Sequence, residues 1–392
     1  MAISSVEVFA LRRTPKLKRA LSHGKLVYGG EDDLLGKPVL VRITDSSGAV
    51  GIGQMRPLNP WMGETTEAVL VAIRDYWGPA MLGRDPRDRN RIYADIAEML
   101  PNTQVALCCV DLALWDLMGK IAGQPVAALL GGNVAARIPM EWSVGMSEPE
   151  VMVAEAKRAV DHFGVDVVCL KVGREDWKVD VEVHQAVRAA VGPDISVGID
   201  ANEGYDEATT IRVMRGLADT DVAYLEQPLP RDQIEGLARL RAKLDVPIFV
   251  DESVFTTDDV MRLANAGACD TAVLKLYKNG GITGAQRVAQ VAAAAGISVN
   301  VGGTAQGSQL EAAAAAHLCV SLHNHAFAAE FIMGLEAVEE DQLFDAPIVD
   351  FADGFSELHD APGFGAELTT AEIEPHAIVS YTVGDPVVGA SA

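Results

Sequence analysis

"DVVCLKVGRED", residues 166–176, is an apolar run that ends on a lysine, with a cysteine two positions earlier. Residues i and i+2 of a strand share a face, so Cys169 and Lys171 are expected to point the same way. The run shows no polar alternation ahead of the lysine, which marks a strand covered on both faces, as in a parallel sheet. Its recurrence along the chain decides the fold.

From about residue 137 onward, eight such runs alternate with longer amphipathic segments: "IPMEWSV", "DVVCLKV", "ISVGIDA", "VAYLEQ", "PIFVDE", "TAVLKL", "ISVNVG" and "AFAAEF". The segments between them read as helices. Ser147 and Glu150 in "SEPE" are expected to form a capping box with Pro149 in the first turn. Gly164, Gly267 and Gly296 are expected to end helices before the next strand. Eight βα units over roughly 210 residues fit an α/β fold closed into a (β/α)8 barrel. Residues 1–130 differ: "ISSVEVFAL" and "PVLVRITDSSGAVGIG" look like strands, the latter a hairpin turning at Asp45–Gly48, and residues 65–122 look like three helices. The expected organisation is an α+β module over 1–130, the barrel over 131–354 and a tail over 355–392 that packs back on the module.

The chain has 392 residues, enough for two domains, with 49% hydrophobic residues. Lys and Arg total 32 against 55 Asp and Glu, a formal charge of -23 that argues against nucleic acid or an anionic membrane surface as partner. No apolar stretch is long enough for a membrane span, and the first residues do not read as a secretory signal. The five cysteines show no C-x-x-C spacing and sit in apolar surroundings, as buried reduced thiols do. A cytoplasmic enzyme is expected.

Polar residues end five consecutive runs: Lys171, Asp200, Glu226, Asp251 and Lys275, at separations of 29, 26, 25 and 24 residues. One βα unit per step puts them at one level, at the C-terminal ends of barrel strands, where such folds carry their active sites. Three carboxylates on adjacent strands repel one another unless a cation sits among them, and their oxygens suit Mg2+ or Mn2+. Lys171 and Lys275, on the second and sixth of eight strands, face each other across the mouth. A substrate carboxylate between them presents one face to each lysine, the arrangement for removing an α-proton through a metal-stabilised enediolate. A lysine serves as the base when its pKa is lowered, as a nearby dication lowers it. Singly, each residue has a structural reading as a cap, turn or ion pair; the set of five argues for chemistry. Glu252 is expected to point away from its neighbour Asp251 on an extended strand, which favours Asp251 as the ligand.

With these residues in place, the chain resembles the enolase superfamily, specifically the muconate lactonizing enzyme subgroup of the mandelate racemase/muconate lactonizing enzyme family. The resemblance spans nearly the whole chain and rests on "ALCCVDLALWDLMGKIAGQPVAALLGG" (106–132), "LKVG", "GIDANEGY", "LEQPLP", "VDES" and "LKLYKNGGI". It implies Asp200, Glu226 and Asp251 as Mg2+ ligands and Lys171 and Lys275 as the acid/base pair. It also implies that the N-terminal module and C-terminal tail form a capping domain. Specificity loops are then expected near Leu21–Tyr28 and Gln54–Met62, with Tyr28 and Met55 as candidate contacts.

Two departures matter. The histidine and aspartate expected of the mandelate racemase subgroup are absent, since strands seven and six end "VNVGGT" and "VLKLYK". The Lys-x-Lys pair usual on the second strand has Cys169 in its first position. That substitution removes a cation near the substrate carboxylate and behind Lys171, or Cys169 simply fills apolar space. Glu330, ending the eighth run, is a candidate for orienting substrate or a lysine, or for an ion pair. Asn202, Gln227, Glu252 and Thr304 fall at strand ends where supporting roles are expected.

The expected activity is that of an isomerase: a racemase or epimerase of an amino-acid derivative, or a muconate-type cycloisomerase. A dehydratase of a hydroxy acid or hydroxylated amino acid, such as a hydroxyproline, needs the same core. A hydrolase is disfavoured by the lack of histidines at the strand ends, and only Cys169 favours a non-catalytic barrel. The expected partners are a small-molecule carboxylate and further copies of the chain in a homo-oligomer.

Overall fold

The structure is a computed structural model that describes residues 1–12, 19–20, 27–28, 36–303, 307–331, 343–344 and 346–384. Seven of the eight apolar runs form one parallel sheet in sequence order: Glu141–Val144, Val167–Lys171, Ser196–Asp200, Val222–Glu226, Ile248–Val250, Thr271–Leu274 and Ser298–Val301. These are barrel strands one to seven. The eighth run closes the ring through isolated bridges in place of the expected ladder: His325 to Val299 and Glu330 to Gly302 on one side, Ala329 to Met140 on the other. Phe327, at φ 70, breaks the extended backbone at the second residue of that run, between the bridges at His325 and Ala329, so the pairing is interrupted. The first run is also divided. Ile138–Pro139 leaves the barrel and pairs with Phe355–Ser356, the strand continuing only from Glu141; Pro139 has no N–H to give a central ladder.

Inward side chains stack in layers, as a small barrel requires. The charged residues occupy the upper layer. Two residues below each lie Cys169, Tyr224, Phe249 and Val273, which form an apolar cluster of their own. Tyr224 stacks on Phe249 with ring centroids 4.4 Å apart, and Phe327 meets both edge-on at 5.3 and 5.9 Å. Gly198 on strand three faces the same space. A Cβ there would lie 2.3 Å from the Tyr224 ring, so the missing side chain on one strand is what admits the aromatic on the next.

The helices begin and end largely as their sequences dictate. Thr256 and Asp259 form a reciprocal capping box, and Gly267 ends the same helix in the left-handed conformation, as Gly164 ends an earlier one. The box expected at Ser147 and Glu150 is not formed. Helix Pro149–Phe163 starts after Glu148 with no side-chain cap, and Pro149 itself removes one of the amides such a cap would satisfy.

In the N-terminal module, Ile3–Leu11 pairs antiparallel with Val39–Asp45, which pairs with Val50–Met55; the tail strand Ala377–Thr382 adds to the far side of Ile3–Leu11. Helix Gln104–Ala122, buried along most of its length, lies between this sheet and the barrel. Its Asp111 accepts hydrogen bonds from the Thr283 amide and hydroxyl at 2.9 and 2.5 Å, and Trp115 donates to the same hydroxyl at 3.1 Å. Arg89 stacks 3.4 Å above the Trp115 ring, and Tyr93 donates to the Gly280 carbonyl at 3.0 Å. The motif before the barrel therefore grips the segment that follows strand six, the segment that carries Lys275. All five cysteines are buried and free, and among the described residues no helix is long and apolar enough to cross a membrane.

Replacing Gly198 with Ala should cost about 1–3 kcal/mol of stability, because the Tyr224 ring has no free space to yield. Chemical denaturation of the two proteins checks this.

Candidate active site

Strand register assembles the site. Lys171 pairs with Asp200 across strands two and three, and Asp200 with Glu226 across strands three and four. Asp251 and Lys275 follow immediately on the last residues of strands five and six. All five are buried, none more than 6% exposed. Lys171 Nζ lies 2.6 Å from Asp200 Oδ2 and 3.5 Å from Glu330 Oε1; Lys275 Nζ lies 2.7 Å from Asp251 Oδ2 and 4.0 Å from Glu330 Oε2. Glu330 thus stands between the lysines with one oxygen toward each. Gly302 makes room for this, since a Cβ there would lie 2.7 Å from Lys275 Cε.

Burial penalises the charge on each of these groups, and the outcome depends on the partners. For Lys171 the penalty is outweighed by Asp200 and Glu330, and for Lys275 by Asp251 chief among its acidic neighbours, so both pKa values are raised well above the usual lysine value. That is the opposite of the lowered value expected of a base. The cause is plain: here the lysines are themselves the counter-ions of the carboxylates. Burial likewise opposes ionisation of Asp251 and Glu330, yet the lysines beside them prevail and both pKa values are lowered. Glu226 goes the other way. Burial and then Asp200 raise it well above the usual carboxyl value, and its Oε1 is buried with no hydrogen-bond partner among the described residues.

The strand-end amides brace this ring. Asn202, at φ 41, donates its backbone N–H to Asp200 Oδ1 at 2.8 Å and its side-chain amide to Glu252 Oε1 at 3.0 Å. Gln227 accepts from the Asp251 and Ser253 amides at 3.1 and 3.2 Å and donates to the Leu229 carbonyl and Ser253 hydroxyl, tying the end of strand four to that of strand five. Glu252 does not point away as expected. The strand ends at Val250, so alternation no longer applies, and Glu252 turns inward to Asn202; burial, then Asp251 and Asp200, raise its pKa to about 8.

Cys169 lies under Lys171 with its thiol pushed well up by burial, a packed and unreactive group beside Tyr224. Met55 is not at the site; it is wholly buried in the hydrophobic core, because the strand Val50–Met55 carries it there. Tyr28 falls in a two-residue strand paired with Arg19–Ala20, and its side chain, the preceding loop from Leu21 and Thr304 lie outside the described residues.

Three residues escaped the sequence reading. Lys278, 2% exposed, donates to Asp251; its spacing of three from Lys275 on a helical turn was the available signal. Trp61, within the loop expected near Gln54–Met62, places its ring 5.7 Å from Lys275 Nζ. Glu141, the lone acid inside "IPMEWSV", is 2% exposed below Lys171 and has its pKa raised to about 8 by burial and by Glu330. The Tyr224 hydroxyl is close enough to Glu141 to favour its charge, yet that hydroxyl and Glu141 Oε2 have no hydrogen-bond partner among the described residues.

The donor chemistry suits a hard divalent cation. Three buried carboxylates on adjacent strands share one level, and one of their oxygens is unpartnered. Among the described residues no three such groups are already drawn together as a closed cage. Ammonium groups hold Asp200 Oδ2 and Asp251 Oδ2 instead.

Comparison with known proteins places this site in context. Residues 36–131 match the N-terminal domain of mandelate racemase/muconate lactonizing enzymes, and residues 151–372 match the enolase C-terminal domain-like family. The chain is 34% identical to muconate cycloisomerase 1 of Rhodococcus opacus over 84% of this chain and 88% of that one. Among solved structures, the N-succinyl Arg/Lys racemase of Bacillus cereus superposes with a TM-score of 0.88 at 26% identity, covering 98% of this chain and all of that one. A dipeptide epimerase of Cytophaga hutchinsonii, in complex with Mg and the dipeptide D-Ala-L-Val, gives 0.87 at 27% identity with coverage of 98% and 100%.

Glu141 supplies a test of the site's electrostatics. Its folded pKa of about 8 lies above its ordinary value of 4.5, so the fold holds a proton that the unfolded chain releases between those values. The stability this contributes is complete below the ordinary value and is lost as pH rises through about 8. Glu141→Gln cannot ionise, so its melting temperature relative to the unsubstituted protein should climb steadily from acidic to alkaline pH; parallel thermal melts check it.

Proposed function

The chain belongs to the mandelate racemase/muconate lactonizing enzyme family of the enolase superfamily and is an isomerase, and we propose that it racemises or epimerises a carboxylate substrate at the α-carbon. The observation that carries this reading is the placement of two buried lysines on strands two and six, with Glu330 between them. A centre inverted by proton transfer needs an acid and a base on opposite faces, and the lysines form such a pair. The resemblance to a racemase and a dipeptide epimerase supports amino-acid derivatives or small peptides as the substrate class.

In this proposal Asp200, Glu226 and Asp251 hold a divalent cation, Mg2+ first and Mn2+ as a substitute. When bound, the cation supplies the positive charge against which negative charge builds on the substrate carboxylate as the α-proton leaves. Were Asp200 and Asp251 so engaged, Lys171 and Lys275 would lose their strongest counter-charges, and their pKa values would fall toward the range of a base. One lysine takes the α-proton and the other returns one to the opposite face. Glu330 stays within reach of both and balances the charge they share. Trp61 walls the Lys275 side, and the buried strand ends keep bulk water from the reacting carbon. Cys169 places no cation in the layer below, so Lys171 has no like-charged neighbour there.

A second reading, muconate-type cycloisomerisation, is supported by the 34% identity to a muconate cycloisomerase; it uses one lysine as acid/base and leaves the other as an electrostatic partner.

Incubation in D2O with Mg2+ and a panel of N-acylated amino acids, dipeptides and muconate tests both. Deuterium at an inverted α-carbon is the expected result, lactone formation from muconate supports the second reading, and no reaction with any of them overturns both. Lys171→Met and Lys275→Met should each slow isomerisation by about 10²–10⁴-fold. Each should still exchange the α-proton of one stereoisomer, a different one in each variant; full turnover in both would refute the assignment.

A further inference from the structure

Asp251 is held by two buried ammonium groups of different standing. Lys275 reaches Oδ2 at 2.7 Å. Lys278 donates to Oδ1 and, at 2.5 Å, to the Asp251 backbone carbonyl, so it grips both the side chain and the peptide. Asp200 has the same division of labour. Its Oδ1 accepts the Asn202 amide at 2.8 Å, and its Oδ2 faces Lys171 at 2.6 Å. Each aspartate therefore has one oxygen tied to a donor outside the acid/base pair and one oxygen turned to a lysine of that pair.

Lys278 is built to stay where it is. It sits on the single helical turn Leu276–Asn279, where Asn279 accepts the Lys275 amide at 2.9 Å and donates to the Phe255 carbonyl at 2.9 Å. Gly280 ends the turn at φ 73, with its carbonyl held by Tyr93 of the N-terminal module. The Phe255 ring lies 5.8 Å from the Lys278 ammonium. A buried lysine is costly unless paired, and one beside a dication site opposes the dication by simple repulsion. Help in attracting metal is thus not what this residue offers. Orientation is.

Building on the function proposed above, we infer that Lys278 is a positioning residue: it pins Asp251 through Oδ1 and the backbone, which leaves Oδ2 alone turned to Lys275. Without it Asp251 is free to turn, Oδ2 no longer holds Lys275 in one place, and that lysine is misplaced for proton transfer even where the cation still binds.

The test combines Mg2+ titration calorimetry with α-proton exchange at saturating Mg2+ in the full-length protein. Lys278→Met should bind Mg2+ at least as tightly as the unsubstituted protein, because a repelling charge is gone, while exchange falls about 10–100-fold, as loss of a partner that orients a ligand typically costs. Lys278→Gln, whose amide still donates to Asp251, should recover part of the exchange; it carries the test alone if the Met variant does not fold. Unchanged exchange, or metal affinity and exchange falling together as in a merely loosened fold, overturns the inference and leaves the proposed function standing. An unsubstituted protein that takes up no divalent cation overturns the proposed function and this inference with it.

Discussion

The site rests on mutual neutralisation inside a dry barrel mouth. Lys171, Asp200, Glu226, Asp251 and Lys275 are buried, and Glu330 nearly so; an isolated ion in such a place is prohibitively costly. The pairs Lys171–Asp200 and Lys275–Asp251, with Glu330 shared between the lysines, offset that cost, whereas burial and Asp200 push the pKa of Glu226 well up. The same pairing is what a cation at the three carboxylates would rearrange.

The architecture around the network serves its geometry. Below it, the Tyr224–Phe249 stack fills the barrel and is admitted by Gly198. Cys169 continues that apolar plug beneath Lys171, so the charged neighbours of Lys171 are the acids Asp200 and Glu330 beside it, with Glu141 buried beneath. To one side, the N-terminal module reaches over through Arg89, Tyr93, Asp111 and Trp115 to hold the chain after Lys275. The module thereby fixes one of the two lysines as well as lying over the barrel's rim.

Much of this was legible from the residues because a barrel is periodic. Apolar runs without alternation announced strands buried on both faces, and polar residues recurring at one-unit spacing had to share a level. Reading failed where the local rule ceased to hold. Strand alternation turns Glu252 away from Asp251, but the strand ends at Val250, before either residue. The eighth run looked as apolar as the rest, yet Phe327 breaks its backbone. Ser147 and Glu150 had the right types for a capping box, and the helix began at Pro149 without one. Met55 lies within the expected loop by position, but the strand Val50–Met55 carries it into the core. Lys278 and Glu141 are visible as charges, and spacing puts Lys278 one turn from Lys275, but no linear pattern says which carboxylate or lysine either one reaches.

By itself, then, the sequence determined the closed (β/α)8 architecture, the capping module before it, and the five charged residues at the rim, because periodicity and strand-end position are one-dimensional properties. Only the tertiary structure decided which oxygen faces which ammonium: that Glu330 lies between the lysines, that Lys278 takes the other side of Asp251, and that Glu141 is buried beneath Lys171. Those relations join residues many turns apart through a low-dielectric interior, where charge state depends on ångström-scale neighbours that no spacing along the chain can express.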